Sequence, residues 1–190
     1  MVNLLVIQNP DGGQLSQPAF HQPISVFLSV GQASTEEHEI FINAVEDFLR
    51  SHALIPRTVG RREFSIDNKP LKRIHTVLGE CSGTIVVALE RLRVDRATEF
   101  PAGSHSIPLI GIKLPTVWNQ IEAAMAYSLG HPLLGIVEQG LRPEGLLESG
   151  YDWYIEWLDL NPSSLSEPSF LATFEIWKLK VEEFHRSKRA

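Results

Sequence analysis

The sequence predicts an α/β fold in which a doubly wound parallel sheet is flanked by helices. Three observations carry that expectation. Short apolar runs of strand length alternate with segments of helical period from Ile24 to Val137, the signature of parallel strands joined by crossover helices. The run Gly83-Thr84-Ile85-Val86-Val87-Ala88-Leu89 is apolar without alternation, as a strand covered on both faces must be. The length of 190 residues suffices for one domain with a full core and is too short for two ordinary enzyme domains.

Residues 3–7 read as a short strand, and residues 8–23, rich in Gly, Pro, Gln and Ser, as a loop or arm. Ile24–Val30 is the first core strand, closed by Gly31. Ser34 or Thr35 caps a helix that carries Glu36 and Glu37 in its first turn, where carboxylates complement the helix dipole. Its apolar positions Ile40, Phe41, Ala44, Val45, Phe48 and Leu49 follow the 3.6-residue period, and it ends near His52. Leu54–Val59 is a second strand, and because proline donates nothing to a ladder Pro56 makes it either an edge strand or one that begins after that residue.

Pro70 suits the first turn of a helix that reaches about Gly79, and Gly83–Leu89 is the sheet centre. Residues 90–106, with Arg91, Arg93 and Arg96, form a long polar connection of a length that is often functional. Ile107–Ile112 is a further strand. Thr116 caps a helix that runs to Leu129 and stops at Gly130, with Pro132 beyond, and Leu133–Val137 is the next strand. The regularity weakens after Gly140. Tyr151–Trp157 is rich in aromatic residues and of either type, and Pro168–His185 is a helix covering the core. The expected organisation is an N-terminal arm at 1–23, an α/β core at 24–140 and an extension packed on the core at 141–190.

Composition narrows the function. Hydrophobic residues make up 43% and charged residues 21%, as in globular proteins, and the formal charge of -6 excludes a broad electrostatic grip on nucleic acid or an anionic membrane. The expected partner is a small molecule or a protein. Charge is segregated: Glu36, Glu37, Glu39, Glu46 and Asp47 dominate 34–50, whereas Arg57, Arg61, Arg62, Lys69, Lys72 and Arg73 dominate 57–73. The single cysteine, Cys81, forms no internal disulfide and fits a reducing compartment. It reads as a small packed residue, since no partner base can be named for it. The seven histidines are scattered without metal-ligand spacing, so no metal is expected. The N-terminus lacks the basic region of a signal peptide, and no apolar run approaches membrane-spanning length, so the expected location is the cytoplasm.

Chemistry concentrates in Trp118-Asn119-Gln120-Ile121-Glu122-Ala123-Ala124-Met125-Ala126. Trp118 and Glu122, four apart, share a helix face near the helix start, close to the carboxyl ends of the strands. In open α/β sheets ligands bind along that rim. A carboxylate beside an aromatic ring there can hold a ribose while the ring stacks on a base. On the pattern alone a second reading stays open, in which Trp118, Ile121 and Met125 are core contacts and Glu122 is a solvated first-turn carboxylate. Ser29 lacks the Gly-x-Ser-x-Gly elbow of a hydrolase serine. Trp153, Trp157 and Trp177 are expected to pack the C-terminal segment on the domain.

The strand Val26-Phe27-Leu28-Ser29, a helix, a second strand, the helix and buried strand from Ile74 to Leu89, and then Trp118-x-x-x-Glu122 opening a helix resemble a TIR domain, with its flavodoxin-like sheet, over about residues 24–140. The helical glutamate ahead of a small-residue run, Glu122-Ala123-Ala124, is also similar to that of nucleoside 2-deoxyribosyltransferases. The sequence departs from the TIR pattern at Ser29-Val30-Gly31 and at Gly60-Arg61-Arg62-Glu63-Phe64, and from the transferase pattern at Leu89-Glu90-Arg91, where an aspartate motif is usual.

The TIR resemblance implies NAD glycohydrolase or cyclase activity, acting at the nicotinamide–ribose bond of NAD or a related nucleotide, with NAD as substrate and no tightly bound cofactor. It implies Glu122 as the catalytic carboxylate, Trp118 as a stacking partner, and Ser29, Gly31 and Gln32 as backbone contacts to the nucleotide. Arg61 or Arg62 would meet the pyrophosphate, and Ser82 is a lesser substrate contact. It further implies bacterial defence signalling, a homo-oligomer that completes the site, and a protein or nucleotide activator. Two alternatives are a non-catalytic interaction module built on the charge-segregated segments, and a deoxyribosyltransferase-like enzyme.

Overall fold

The computed structural model describes residues 23–60 and 69–189. The expected strand at 3–7, most of the N-terminal arm, and Arg61 and Arg62 lie outside the described residues. Five parallel strands form one sheet: β1 (Ile24–Val30), β2 (Leu54–Arg57), β3 (Thr84–Ala88), and two that follow a ribbon of β4 (Leu92–Glu99) and β5 (Ile107–Leu114), namely β6 (Leu133–Glu138) and β7 (Tyr154–Leu158). The order across the sheet is β2-β1-β3-β6-β7, with every neighbouring pair parallel. Counted within the sheet, this is the 2-1-3-4-5 winding of a flavodoxin-like fold, and its chain direction across the sheet reverses between β1 and β3. β2 is an edge strand, as Pro56 requires, and all of β3 is buried at the centre.

Among the described residues four α-helices cover the sheet: α1 (Glu36–Ser51), α2 (Pro70–Glu80), α3 (Val117–Ser128) and α4 (Pro168–Ser187). Alternation along the strands divides them. Val26, Leu28, Ile85 and Val87 point into one cluster with Phe41, Ile42, Val45 and Leu49 of α1 and Phe170, Phe174, Trp177 and Val181 of α4. Phe27, from the opposite face of β1, packs with Ile74 and Leu78 of α2 and Ala126 of α3. The cap of α1 is Thr35, whose hydroxyl accepts from the His38 amide at 3.1 Å.

Two expectations change. Residues 90–106 are not simply a polar connection, and Ile107–Ile112 does not join the main sheet. β4 and β5 pair antiparallel as a separate two-stranded ribbon, from Leu92 opposite Leu114 to Glu99 opposite Ile107. Pro108 removes a donor, and Gly111 sits at φ 64, so this strand is poorly suited to a central ladder. Second, the expected core boundary at 140 falls inside the sheet, because β7 supplies its fifth strand beside β6.

The C-terminal helix is part of the core rather than an appendage. Phe170, Phe174, Trp177 and Val181 are fully buried, each contributing roughly 1.5–3 kcal/mol by leaving water. Gly83 lets α4 approach: a Cβ there would lie 2.4 Å from Val181 Cγ2. Beyond the helix, Lys188 Nζ donates to the carbonyls of Gly79 and Cys81 at 2.8 and 2.9 Å, satisfying the C-terminal end of α2. No helix among the described residues is long and apolar enough to cross a membrane.

Candidate active site

The first turn of α3 meets the carboxyl ends of β1 and β3 at the point where the winding reverses. Thr116 caps the helix, its hydroxyl accepting from the Trp118 amide at 3.4 Å. One buried stripe runs down α3 through Asn119, Glu122, Ala123 and Ala126. That spacing turns an asparagine and a glutamate, three residues apart, toward the same strand end.

Ser29 is the strand residue that they meet. It is completely buried, and the Asn119 side-chain amide donates to its carbonyl at 3.3 Å and to its hydroxyl at 2.9 Å. Glu122 is 8% exposed, and burial pushes its pKa up to about 7, against the opposing effect of a hydrogen bond from the Ser29 hydroxyl. A carboxyl poised there exchanges protons near neutrality, as general acid–base chemistry requires. The reading of Glu122 as a solvated surface carboxylate is therefore set aside by its burial.

A narrow crevice opens beside this pair, lined by Gly31 and Gln32 after β1, Leu89, Glu90 and Arg91 after β3, and Thr116 and Asn119 of the helix start. Its volume is about 10 Å³, close to that of one water-sized group. Gly31 keeps β1 close to the cap, since a Cβ there would meet Thr116 Cγ2 at 3.0 Å. Glu90 carries the opposite electrostatic bias to Glu122. Hydrogen bonds from Arg93 and Lys113 hold its carboxyl down at about 2, so it stays ionised. Its amide donates to Glu138 Oε2 at 2.6 Å, and His38 Nε2 lies 3.6 Å from that same oxygen.

Of the residues singled out in the sequence, Gly31 and Gln32 line the crevice, whereas Ser29 and Glu122 do not line it and connect to it through Asn119, which bonds Ser29. Trp118 stands on the margin of the buried stripe with 43% of its surface exposed, and it does not line the crevice. Ser82 is elsewhere. It precedes β3, four residues before the Val86 that pairs with Ser29, hence roughly 13 Å toward the opposite end of the sheet. Its hydroxyl lies 2.8 Å from His185 Nδ1 of α4, which gives it a packing role. Cys81 is buried, and burial pushes its thiol up to about 12, far from a reactive thiolate.

No family model matches the chain, and no curated protein matches it. The chain is similar in structure to a CMP N-glycosidase, BcmB, of Clostridium botulinum, at 13% identity and a TM-score of 0.47, over 80% of this chain and 98% of that one. It is similar to a 2-desoxiribosyltransferase of Leishmania mexicana at 17% identity and a TM-score of 0.47, over 84% of this chain and 98% of the other.

Five residues that line the crevice are not singled out as site residues in the sequence: Leu89, Glu90, Arg91, Thr116 and Asn119. Asn119 was within reach, because three-residue spacing from Glu122 on a helix places both on one face. Glu90 and Arg91 are hidden by the polar run that follows them, and only the ribbon of β4 and β5 shows that the crevice ends at Arg91. Among the described residues no group of His, Cys, Asp or Glu has an arrangement that could hold a metal ion.

Proposed function

We propose that the protein cleaves an N-glycosidic bond of a nucleoside or nucleotide, with Glu122 as its catalytic carboxyl. The observation that carries this reading is a single carboxyl, buried at the switch point of the sheet and held near neutrality beside a crevice. Breaking the bond between the sugar C1′ and the base nitrogen moves the bonding pair onto the base and leaves oxocarbenium-like charge on the sugar. An ionised Glu122 stabilises that charge, and the low-dielectric surroundings of the carboxyl strengthen the attraction. Water then adds to C1′, and its proton passes to Glu122, whose pKa near 7 lets it accept and later release that proton.

The nicotinamide–ribose bond of NAD is the first substrate to test. Its pyridinium nitrogen leaves as neutral nicotinamide, so no second acid is required, and Glu122 is the one carboxyl of this site that burial holds near neutrality. Glu90, held ionised, serves to fix Arg93 and Lys113 at the rim. Purified protein incubated with NAD, and with a panel of ribonucleosides and their 5′-phosphates, is expected to release free base, whereas Glu122→Gln is not. Equal rates for both proteins reject the reading. Self-association and a role in bacterial defence signalling are proposals of the same kind, tested by whether NAD turnover per protomer rises with protein concentration.

One observation favours a non-catalytic second reading. The β4–β5 ribbon exposes Ile110 to 80%, Phe100 to 61% and Leu92 to 54%, an apolar display suited to a protein partner. On that reading the ribbon, rather than the charge-segregated segments, carries the interaction. Assembly that depends on Ile110 without any turnover of nucleotide supports it.

A further inference from the structure

The strongest unexplained feature of the crevice is an acceptor without a donor. Asn119 is 2% exposed, and its two side-chain hydrogen bonds to Ser29 are both made by the amide nitrogen. Its carbonyl oxygen, Oδ1, is buried and has no hydrogen-bond partner among the described residues. Buried polar atoms are nearly always paired in native folds, and an exception calls for a partner or a functional role. Asn119 is also a wall of the crevice that opens at the switch point of the sheet.

The chemistry and size of the cavity limit what completes it. A carbonyl oxygen only accepts, so the incoming group is an O–H or N–H. A cavity of about 10 Å³ admits one such group and excludes a heterocyclic ring. Asn119 and Glu122 lie one helical turn apart, with Cβ atoms about 5–6 Å from each other, and both reach Ser29. A furanose can span that separation while presenting C1′ to the carboxyl and an adjacent hydroxyl to the amide.

We propose that Asn119 is a specificity-determining residue that accepts a hydrogen bond from the 2′-hydroxyl of the substrate's sugar, so that the site selects ribosyl over 2′-deoxyribosyl substrates. This rests on the N-glycosidic reading of Glu122. The hydroxyl enters the crevice, donates to Oδ1 and lies next to the reacting carbon. The base and the remainder of the nucleotide stay outside, against Gln32 and Arg91. Arg91 has no carboxylate partner among the described residues and is free to meet an anionic group there.

The test uses the full chain, NAD and the NAD analogue lacking the 2′-hydroxyl on its nicotinamide ribose. Wild type is expected to prefer NAD by roughly tenfold or more in kcat/KM, the worth of one buried hydrogen bond. Asn119→Leu removes the acceptor together with the tie to Ser29, so both substrates slow, but NAD slows by about tenfold more than the deoxy analogue and the preference disappears. Asn119→Asp, which like the leucine variant loses the donor to Ser29 but keeps an acceptor at that position, is expected to retain a preference for NAD and so separates loss of the acceptor from loss of the tie to Ser29.

A merely structural role for Asn119 would lower both substrates together and leave the ratio unchanged. That result overturns the proposal while the N-glycosidic reading stands. Calorimetric titration of Glu122→Gln with ribose 5-phosphate and 2-deoxyribose 5-phosphate gives a readout without turnover. Tighter binding of the ribose form, lost in Glu122→Gln/Asn119→Leu, supports the proposal even if NAD is not a substrate, and equal binding of the two sugars overturns it.

Discussion

The side chain of Asn119 ties the first turn of α3 to the end of β1 by donating to both the carbonyl and the hydroxyl of Ser29, at 3.3 and 2.9 Å. The Ser29 hydroxyl, accepting from Asn119, is thereby turned to donate to Glu122. A strand residue with no exposed surface thus opposes part of what burial does to the carboxyl one helical turn from the asparagine.

The first expected outcome concerns rate. Glu122→Gln keeps the shape of the side chain and loses its charge and its titration. It is expected to lower base release by roughly 100- to 10,000-fold, the range for removing a general acid or base. In wild type the rate should climb with pH through about 7, as the carboxyl ionises, while the residual rate of the variant stays flat. A nicotinamide-release assay from pH 5 to 9 reads both.

The same carboxyl makes folding depend on pH in a definite sense. Its folded pKa of about 7 lies above the ordinary 4.5, so between those values the folded state holds a proton that the unfolded chain has lost. Stability from this group is full at low pH and falls as pH rises from 4.5 through 7. The loss is about 3 kcal/mol at most, given 1.36 kcal/mol per tenfold change in proton affinity. Glu122→Gln removes that slope, and urea unfolding at pH 4.5 and 8 should show the variant gaining on wild type only at the higher pH.

His131 acts in the opposite direction. Burial, aided by the Lys188 charge, lowers its pKa from 6.5 to about 4, and its Nδ1 lies 3.0 Å from Thr84 Oγ1. The unfolded chain binds a proton here below pH 6.5 that the folded state refuses until about pH 4, so stability from this group is lost as pH falls across that window. His131→Asn should flatten the acid side of the stability curve. Melting temperatures at pH 4.5 and 7.5, compared with wild type, measure the difference.

Packing of α4 gives a prediction that does not depend on function. Gly83→Ala places a methyl group 2.4 Å from Val181 Cγ2 and within 3.3 Å of the Trp177 ring. Crowding of a filled core costs about 1–3 kcal/mol. Val181→Ala, in the Gly83→Ala background, should restore part of that loss by making room. Chemical denaturation of the two single variants and the double variant gives the coupling directly.

Much of this architecture is legible in the amino-acid sequence, because its elements announce themselves locally. The apolar run at Thr84–Ala88 could only be a buried strand, Pro56 marks an edge, and Thr35 and Thr116 cap their helices through their own hydroxyls. β7 is harder to read, since Tyr154–Leu158 lies half-covered at the far edge of the sheet and so never becomes a plain apolar run. The β4–β5 ribbon is hidden for a related reason: both its faces remain largely exposed, and burial writes no period into it.

Local pattern along the chain was enough to set the order and type of most elements, and with them that the start of α3 would meet the carboxyl ends of the strands. Which groups gather there depends on how the elements pack in three dimensions. Ser29, Glu90, Asn119 and Glu122 span 94 positions of the chain, from 29 to 122, and their proximity follows from parallel winding rather than from any local pattern. The altered acidity of Glu122 has the same origin, because desolvation is a property of what surrounds a side chain in space and leaves no mark on its neighbours in sequence.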